Sequence, residues 1–157
     1  MKQFRILDTT IAKKLANEHK GVLRSLNTIR ISLRDSFADM DEAVSALVLA
    51  ALSGEALLFV GKPGTAKSNL IRLFCQHIGI STDNPNGSHK GYFEYLMTPF
   101  TEPSELFGYF DVAKAINSKE LVRDDDNMMQ KAEIVYLDEV FNGSSAILNS
   151  LLAFMNE

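Results

Sequence analysis

The sequence predicts an α/β fold in which helices cover both faces of a parallel β-sheet, a three-layer αβα arrangement. Short apolar runs alternate with helical patterns along the chain, which predicts βαβ units. The first run is continuously apolar, as in strands that are buried on both faces. A chain of 157 residues has room for about one domain. The predicted strands are residues 56–60, 92–97 and 134–137.

The first helical pattern covers residues 9–34, where apolar residues recur three and four positions apart. Asp8 or Thr9 can cap its start. Gly21 weakens the middle, so two helices are the alternative to one. The apolar stripe consists of Ile11, Leu15, Val22, Leu26, Ile29 and Leu33.

A second helix is predicted over residues 39–52. Asp41 and Glu42 would stand in its first turn, where the helix dipole favours acids. Ser53 and Gly54 would end it. Two more helices are predicted over residues 69–78, closed by Gly79, and over residues 144–156, and a polar loop is predicted over residues 81–91.

The segment before the third strand is harder to interpret. Residues 101–107 predict a turn into a short helix. Within residues 112–131, two segments can pair as a hairpin about residues 117–119. The two segments are residues 112–116 and 120–123.

Composition excludes several classes of protein. The net charge of −4 divides into +4 over residues 1–40 and −8 over residues 41–157, and so acidic a body argues against a general nucleic-acid binder. No apolar run approaches the roughly 18 residues that span a bilayer. The single cysteine, Cys75, excludes an internal disulfide and suits the cytoplasm; we expect it to be a small core residue.

Residues 61–68, GKPGTAKS, follow the first predicted strand and open a helix. They match the phosphate-loop pattern G-x-x-x-x-G-K-[ST], except that alanine replaces the last glycine. Backbone N–H groups of such loops converge on phosphate oxygens, and the helix adds its positive end. We expect Lys67 to reach the β- and γ-phosphates and Ser68 to bind Mg²⁺. The candidate cofactor-binding residues are Gly61, Lys62, Pro63, Gly64, Thr65, Ala66, Lys67, Ser68 and Asn69.

Ala66 departs from the pattern, and alanine would not suit a position that requires a positive φ. We expect Ala66 to have an ordinary helix-start conformation, which accepts alanine. The alternative to a phosphate loop is a glycine-rich turn that carries Lys67 and Ser68 by chance.

The third predicted strand ends in two acids, Asp138 and Glu139. Ligands of open α/β sheets bind beyond the carboxyl ends of strands, where both motifs stand. We expect Asp138 to steady Mg²⁺ together with Ser68, and Glu139 to orient and deprotonate the attacking water. Lys67, Asp138 and Glu139 are therefore the candidate catalytic residues. The alternative is a solvated strand tip. Residues 124–126, three aspartates, lack the spacing of a calcium loop and predict a solvated loop.

The chain resembles the MoxR family of AAA+ ATPases, and within it the RavA branch. Four stretches carry the resemblance: the first strand with its phosphate loop, the second strand and its continuation, the Walker B strand, and the helix after it. These stretches are residues 45–68, 93–108, 132–140 and 144–157, and the likeness covers residues 27–157. The family includes an alanine form of the phosphate loop, which accounts for Ala66.

The resemblance implies an αβα P-loop core that assembles into a ring, usually a hexamer, with ATP and Mg²⁺ bound between neighbours. It implies chaperone-like remodelling of partner proteins with a von Willebrand factor A domain protein, and for the RavA branch contact with an inducible lysine decarboxylase. By position, Lys67, Ser68, Asp138 and Glu139 take the phosphate, magnesium and water roles. Residues 112–131 would correspond to a hairpin facing the pore, and residues 36–41 would lie near the adenine.

The family continues beyond the Walker B helix with a sensor 1 strand, an arginine finger and a helical lid. Since this sequence ends at Glu157, the resemblance implies an incomplete core and a truncated chain. We expect residues 27–157 to be the N-terminal part of an AAA+ domain and residues 1–26 to be an added helix or arm. The alternative function is a nucleotide-binding module without hydrolysis of its own.

Overall fold

The computed structural model describes residues 9–62, 64–82, 91–117 and 121–156. Contacts divide the chain into two compact units, Met1–Val60 and Gly61–Glu157. The expected boundary between residues 26 and 27 falls inside a helix, and the division at that point stays a prediction. No helix among the described residues has the length and apolar character needed to cross a membrane.

The described part of the first unit contains three helices, α1 (Thr9–Glu18), α2 (Lys20–Ser36) and α3 (Asp41–Ser53). The alternative of two helices over the first pattern is confirmed, and His19 separates them. The Arg34 guanidinium on α2 pairs with the Asp41 carboxylate at the start of α3. That hydrogen bond lowers the pKa of Asp41. α3 ends at Gly54, as predicted. Gly54 has the left-handed conformation, and its N–H bonds to the Ala50 carbonyl.

The predicted strand over residues 56–60 is wrong. The segment forms no strand, and most of its side chains are exposed; Val60 is 85% exposed. An apolar run shows that a segment can be buried, but a strand also needs a partner backbone for its N–H and C=O groups. Pairing of this kind is a non-local property that the run itself does not specify.

The second unit is built on a small parallel sheet of two strands, β1 (Tyr92–Leu96) and β4 (Ile134–Asp138). The register runs from Tyr92 opposite Ile134 to Leu96 opposite Asp138. Strands over residues 92–97 and 134–137 are therefore confirmed, within one residue at each end. Every residue of β4 is half-buried.

Helices contact both faces of this sheet. Successive strand residues point to opposite faces. Glu94 of β1 accepts a hydrogen bond from Arg72 of helix α4 (Lys67–His77), whereas its neighbour Phe93 joins a buried cluster with residues of helix α7 (Ser145–Asn156). The members of this cluster are Phe93, Met97, Leu106, Met129, Ile147 and Leu151. Both helices were predicted, and α4 buries Leu70, Ile71, Phe74 and Cys75, as expected for Cys75.

The predicted hairpin within residues 112–131 is wrong. Val112–Asn117 forms helix α6, which follows the short predicted helix α5 (Pro103–Phe107). An antiparallel pair does occur here, between β2 (Tyr109–Phe110) and β3 (Arg123–Asp124). Alanine and lysine, which supply half of the α6 sequence, are good helix formers, and the partner of β3 is β2 rather than residues 112–116. Residues 118–120, which include most of the predicted turn, lie outside the described residues.

The loop before α4 contains two residues in the left-handed region. Gly64 has a φ of 79° and Ala66 a φ of 56°. The expectation that Ala66 takes an ordinary helix-start conformation is therefore wrong. An L-residue other than glycine is destabilised by about 1–2 kcal/mol in this region. At this position the turn holds Ala66 at a positive φ, although alanine ordinarily prefers a negative one.

We expect Gly108→Ala to lower the free energy of unfolding by about 2–4 kcal/mol. A Cβ at this position would lie 2.0 Å from the backbone oxygen of Asp124, and Gly108 has a φ of 86°. The matched control is Gly79→Ala, because Gly79 has a φ of 84° with nothing within 4 Å of the added Cβ. The control should lose only about 1–2 kcal/mol in urea unfolding. Equal losses would contradict the close approach between Gly108 and Asp124.

We expect Ala66→Gly to raise the free energy of unfolding by about 0.5–1 kcal/mol, because relief of strain exceeds the entropic cost of glycine. The control is Ala153→Gly on the exposed side of α7, where glycine should instead cost about 0.5–1 kcal/mol. Urea unfolding measures both changes. A loss of stability in both variants would show that Ala66 is not strained.

Candidate functional site

An open pocket in the second unit lies between the start of α4 and the end of β4. The phosphate-loop segment forms one side, and the strand with its two acids forms the other. The lining residues are Gly64, Thr65, Ala66, Lys67, Ser68, Tyr136, Asp138 and Glu139. The two motifs, some 70 residues apart in sequence, therefore face each other across one pocket.

The remaining candidate residues lie next to this pocket or outside the described chain. Gly61 and Lys62 contribute backbone carbonyls that bond to the Lys67 ammonium. Asn69 is exposed in the first turn of α4. Pro63 lies outside the described residues.

The Lys67 side chain folds back over its own loop. Its Nζ donates to the Lys62 carbonyl at 3.0 Å, and lies 3.4 Å from both the Gly61 carbonyl and the Thr65 Oγ1. The Thr65 hydroxyl donates to the same Lys62 carbonyl at 3.0 Å. Because these acceptors are weak neutral oxygens, phosphate oxygens would compete with them well for a charged donor. The Lys67 ammonium is thus held against its own loop, and Lys67 lines the pocket, where an anion can reach it.

The start of α4 adds a second positive element. The Leu70 N–H makes the first helical bond, to the Ala66 carbonyl, at 2.9 Å. The N–H groups of the first turn of any helix lack intrahelical acceptors and carry the positive end of the dipole. Together with Lys67, this helix end makes the loop side of the pocket attractive to an anion.

The acidic side of the pocket is shaped by a turn at Glu139. Glu139 has a φ of 52°, and its N–H donates to the Asp138 Oδ1 at 3.0 Å. Its carbonyl accepts from the Asn142 N–H at 2.8 Å, which starts a short 3₁₀ helix at Val140–Asn142. The Asp138 carboxylate is half-buried and oriented by the backbone, and the Glu139 side chain is exposed.

Tyr136 is a pocket residue that the sequence analysis missed. Burial, and then the Asp138 carboxylate, raise the pKa of its hydroxyl to about 12. The sequence did contain a signal, because residues two apart on a strand share a face and Tyr136 precedes Asp138 by two.

The side chains of the pocket fit a magnesium nucleotide. Mg²⁺ is usually bound by one or two protein oxygens together with substrate phosphates and water. Ser68 and Asp138 supply a hydroxyl and a carboxylate from opposite sides of the pocket. Among the described residues no group of three His, Cys, Asp or Glu could hold a metal ion.

The other candidate groups stay outside this site. Asp124 ends β3, so the loop predicted over residues 124–126 is confirmed only for Asp125 and Asp126. Asp125 pairs with Lys131 at 3.4 Å. Cys75 is buried, and burial raises the pKa of its thiol to about 11.

Comparisons with known proteins support a family assignment. The chain is 38% identical over 136 residues to the uncharacterized protein MJ0079 of Methanocaldococcus jannaschii, and 39% identical over 132 residues to MJ0812 of the same organism. These matches cover 87% and 84% of this chain and 33% of each relative. The structural protein ORF618 of Acidianus two-tailed virus is 27% identical over 145 residues, covering 88% of this chain and 22% of the relative. The chain thus spans a third or less of the length of these curated relatives.

A sequence model of one family matches residues 24–157. Its description is the MoxR domain in the MoxR–vWA–β-propeller ternary systems. The match includes residues 61–68, both strands of the parallel sheet, and Asp138 and Glu139. Since it extends over most of the sequence, the chain belongs to the MoxR family.

Proposed function

We propose that this chain binds ATP with Mg²⁺ and hydrolyses it, as the nucleotide-binding part of a MoxR-type AAA+ module that remodels partner proteins. The observation that carries the proposal is the pocket in which Lys67 and Ser68 face Asp138 and Glu139. Membership of the MoxR family, whose members are AAA+ ATPases, supports it.

Binding of the triphosphate is assigned to the loop side. The Lys67 ammonium exchanges its loop carbonyls for phosphate oxygens, and the first-turn N–H groups of α4 donate to the same anion. Gly64 and Thr65 line the pocket and leave the backbone accessible. The Lys67 ammonium is positive and the backbone N–H groups are neutral, so none of these donors repels the negatively charged triphosphate.

Ser68 and Asp138 are assigned to the metal. When bound, Mg²⁺ neutralises charge on the phosphates during phosphoryl transfer. The Glu139 N–H already holds one oxygen of Asp138, which keeps the carboxylate directed and reduces the ordering that binding requires.

Glu139 is assigned as the general base. Its side chain is exposed at the pocket edge, where water is available. A carboxylate positioned beside the nucleotide can orient a water molecule and accept its proton as the bond to phosphorus forms. Pure nucleotide binding would not need a second acid beside Asp138.

Partners follow from the family. The description of the matching domain names ternary systems with vWA and β-propeller components, which supports a vWA partner for this chain. The RavA branch, contact with an inducible lysine decarboxylase, a hexameric ring, an adenine site near residues 36–41 and a cytoplasmic location stay predictions from the resemblance.

We expect Lys67→Ala to weaken ATP binding about 10–100-fold, because a hydrogen bond from a charged donor contributes about 1.5–3 kcal/mol. Isothermal titration calorimetry on the full-length protein measures the affinity. The control is Lys131→Ala, which removes the same charge from a residue that pairs with Asp125 outside the pocket lining. Equal affinities in wild type and Lys67→Ala would contradict the phosphate site.

We expect Glu139→Gln to keep ATP affinity and to lower phosphate release by about 10²–10⁴-fold, the usual contribution of a general base. Glu133→Gln, an exposed acid just before β4, is the control and should leave the rate unchanged. Steady-state phosphate release measures turnover in the full-length protein. If wild type binds ATP but releases no phosphate, the alternative of a module that only binds nucleotide is correct. Normal turnover in Glu139→Gln would reject the role of this residue.

A further inference from the structure

Three polar side chains to which the sequence assigned no role share the face of the sheet that contacts α4. Glu94 on β1 bonds to Arg72 of α4. Tyr92 is two residues from Glu94 on the same strand, and Tyr136 on β4 is the register partner of Glu94. Residues two apart along a strand point to the same face of the sheet, and so do residues paired across a parallel ladder. Tyr92, Glu94 and Tyr136 therefore form one row beneath α4, and the row leads to Asp138.

The Glu94 carboxylate is already engaged within this row. Its Oε2 accepts from the Arg72 Nε at 2.8 Å and from the Tyr92 hydroxyl at 2.9 Å. The Glu94 side chain is mostly buried, so these donors compensate its charge. Glu94 is the register partner of Tyr136 across the ladder.

Tyr136 and Asp138 are two residues apart on β4, so their side chains share one face of the sheet. Both side chains are half-buried and both line the pocket. The Asp138 Oδ1 also accepts from the Glu139 N–H at 3.0 Å. The carboxylate thus has a backbone donor from the residue after it, and it shares the pocket with the Tyr136 hydroxyl, which is also a donor group.

We propose that Tyr136 is a positioning residue, whose hydroxyl donates to Asp138 and directs that carboxylate toward a cation bound with the phosphates. The inference rests on the proposed function and deepens it, because it names Tyr136 as the residue that orients the metal ligand Asp138. Carboxylates that bind metals are themselves held by hydrogen bonds, and loss of such a partner typically costs 10–100-fold in metal affinity or activity.

The test is a magnesium titration of wild type, Tyr136→Phe and Tyr92→Phe, each as the full-length protein, with the fluorescent nucleotide mant-ATP as probe. Affinity is measured first in EDTA and then at rising Mg²⁺. Tyr136→Phe keeps the ring and removes one oxygen, so the packing of β4 is retained. Tyr92→Phe removes the same atom from the same face but not from the pocket.

We expect Tyr136→Phe to raise the half-saturating Mg²⁺ concentration at least tenfold while its affinity in EDTA stays equal to that of wild type. Tyr92→Phe should titrate as wild type does. Equal magnesium titrations for Tyr136→Phe and wild type would overturn the inference and leave the proposed function intact. An equal loss with and without Mg²⁺, or a melting temperature lowered by more than about 4 °C, would indicate a packing role and also overturn it. Failure of wild type to bind mant-ATP under both conditions would reject the proposed function, and the inference with it.

Discussion

The parallel register of β1 with β4 determines the geometry of the second unit. It places Leu96 opposite Asp138, and the Met97 N–H continues the ladder with a 2.9 Å bond to the Asp138 carbonyl. The carboxyl ends of both strands therefore meet at one edge. Because side chains alternate along each strand, the same register directs Glu94 toward α4 and Phe93 toward the cluster containing α7. The pocket exists because α4 begins at that edge of the sheet.

Charge divides the pocket into two unlike halves. The loop half presents the Lys67 ammonium and a helix N-terminus, and the strand half presents the Asp138 and Glu139 carboxylates. A bare anion would be repelled by the strand half, and a bare cation by the loop half. A metal–phosphate pair satisfies both, because each of its parts faces groups of opposite charge. This complementarity favours a magnesium nucleotide over a simple phosphate or a lone divalent ion.

Local sequence signals predicted the features that depend on neighbouring residues. Helical periodicity located α3, α4 and α7, and the acids after residue 137 marked the end of β4. Features set by distant partners were missed. Residues 56–60 have the composition of a strand but no paired backbone in the described structure, and β3 pairs with β2 rather than with residues 112–116. The left-handed Ala66 gave no signal, because alanine ordinarily prefers a helical φ.

The burial of Cys75 has a practical consequence. It is the single cysteine of the chain, it has no exposed surface, and burial raises the pKa of its thiol to about 11, so the reactive thiolate is disfavoured at pH 7. Maleimide dyes would react with it very slowly. A cysteine introduced at a surface site would therefore be labelled selectively without first removing the native one, which makes this protein well suited to site-specific spectroscopy.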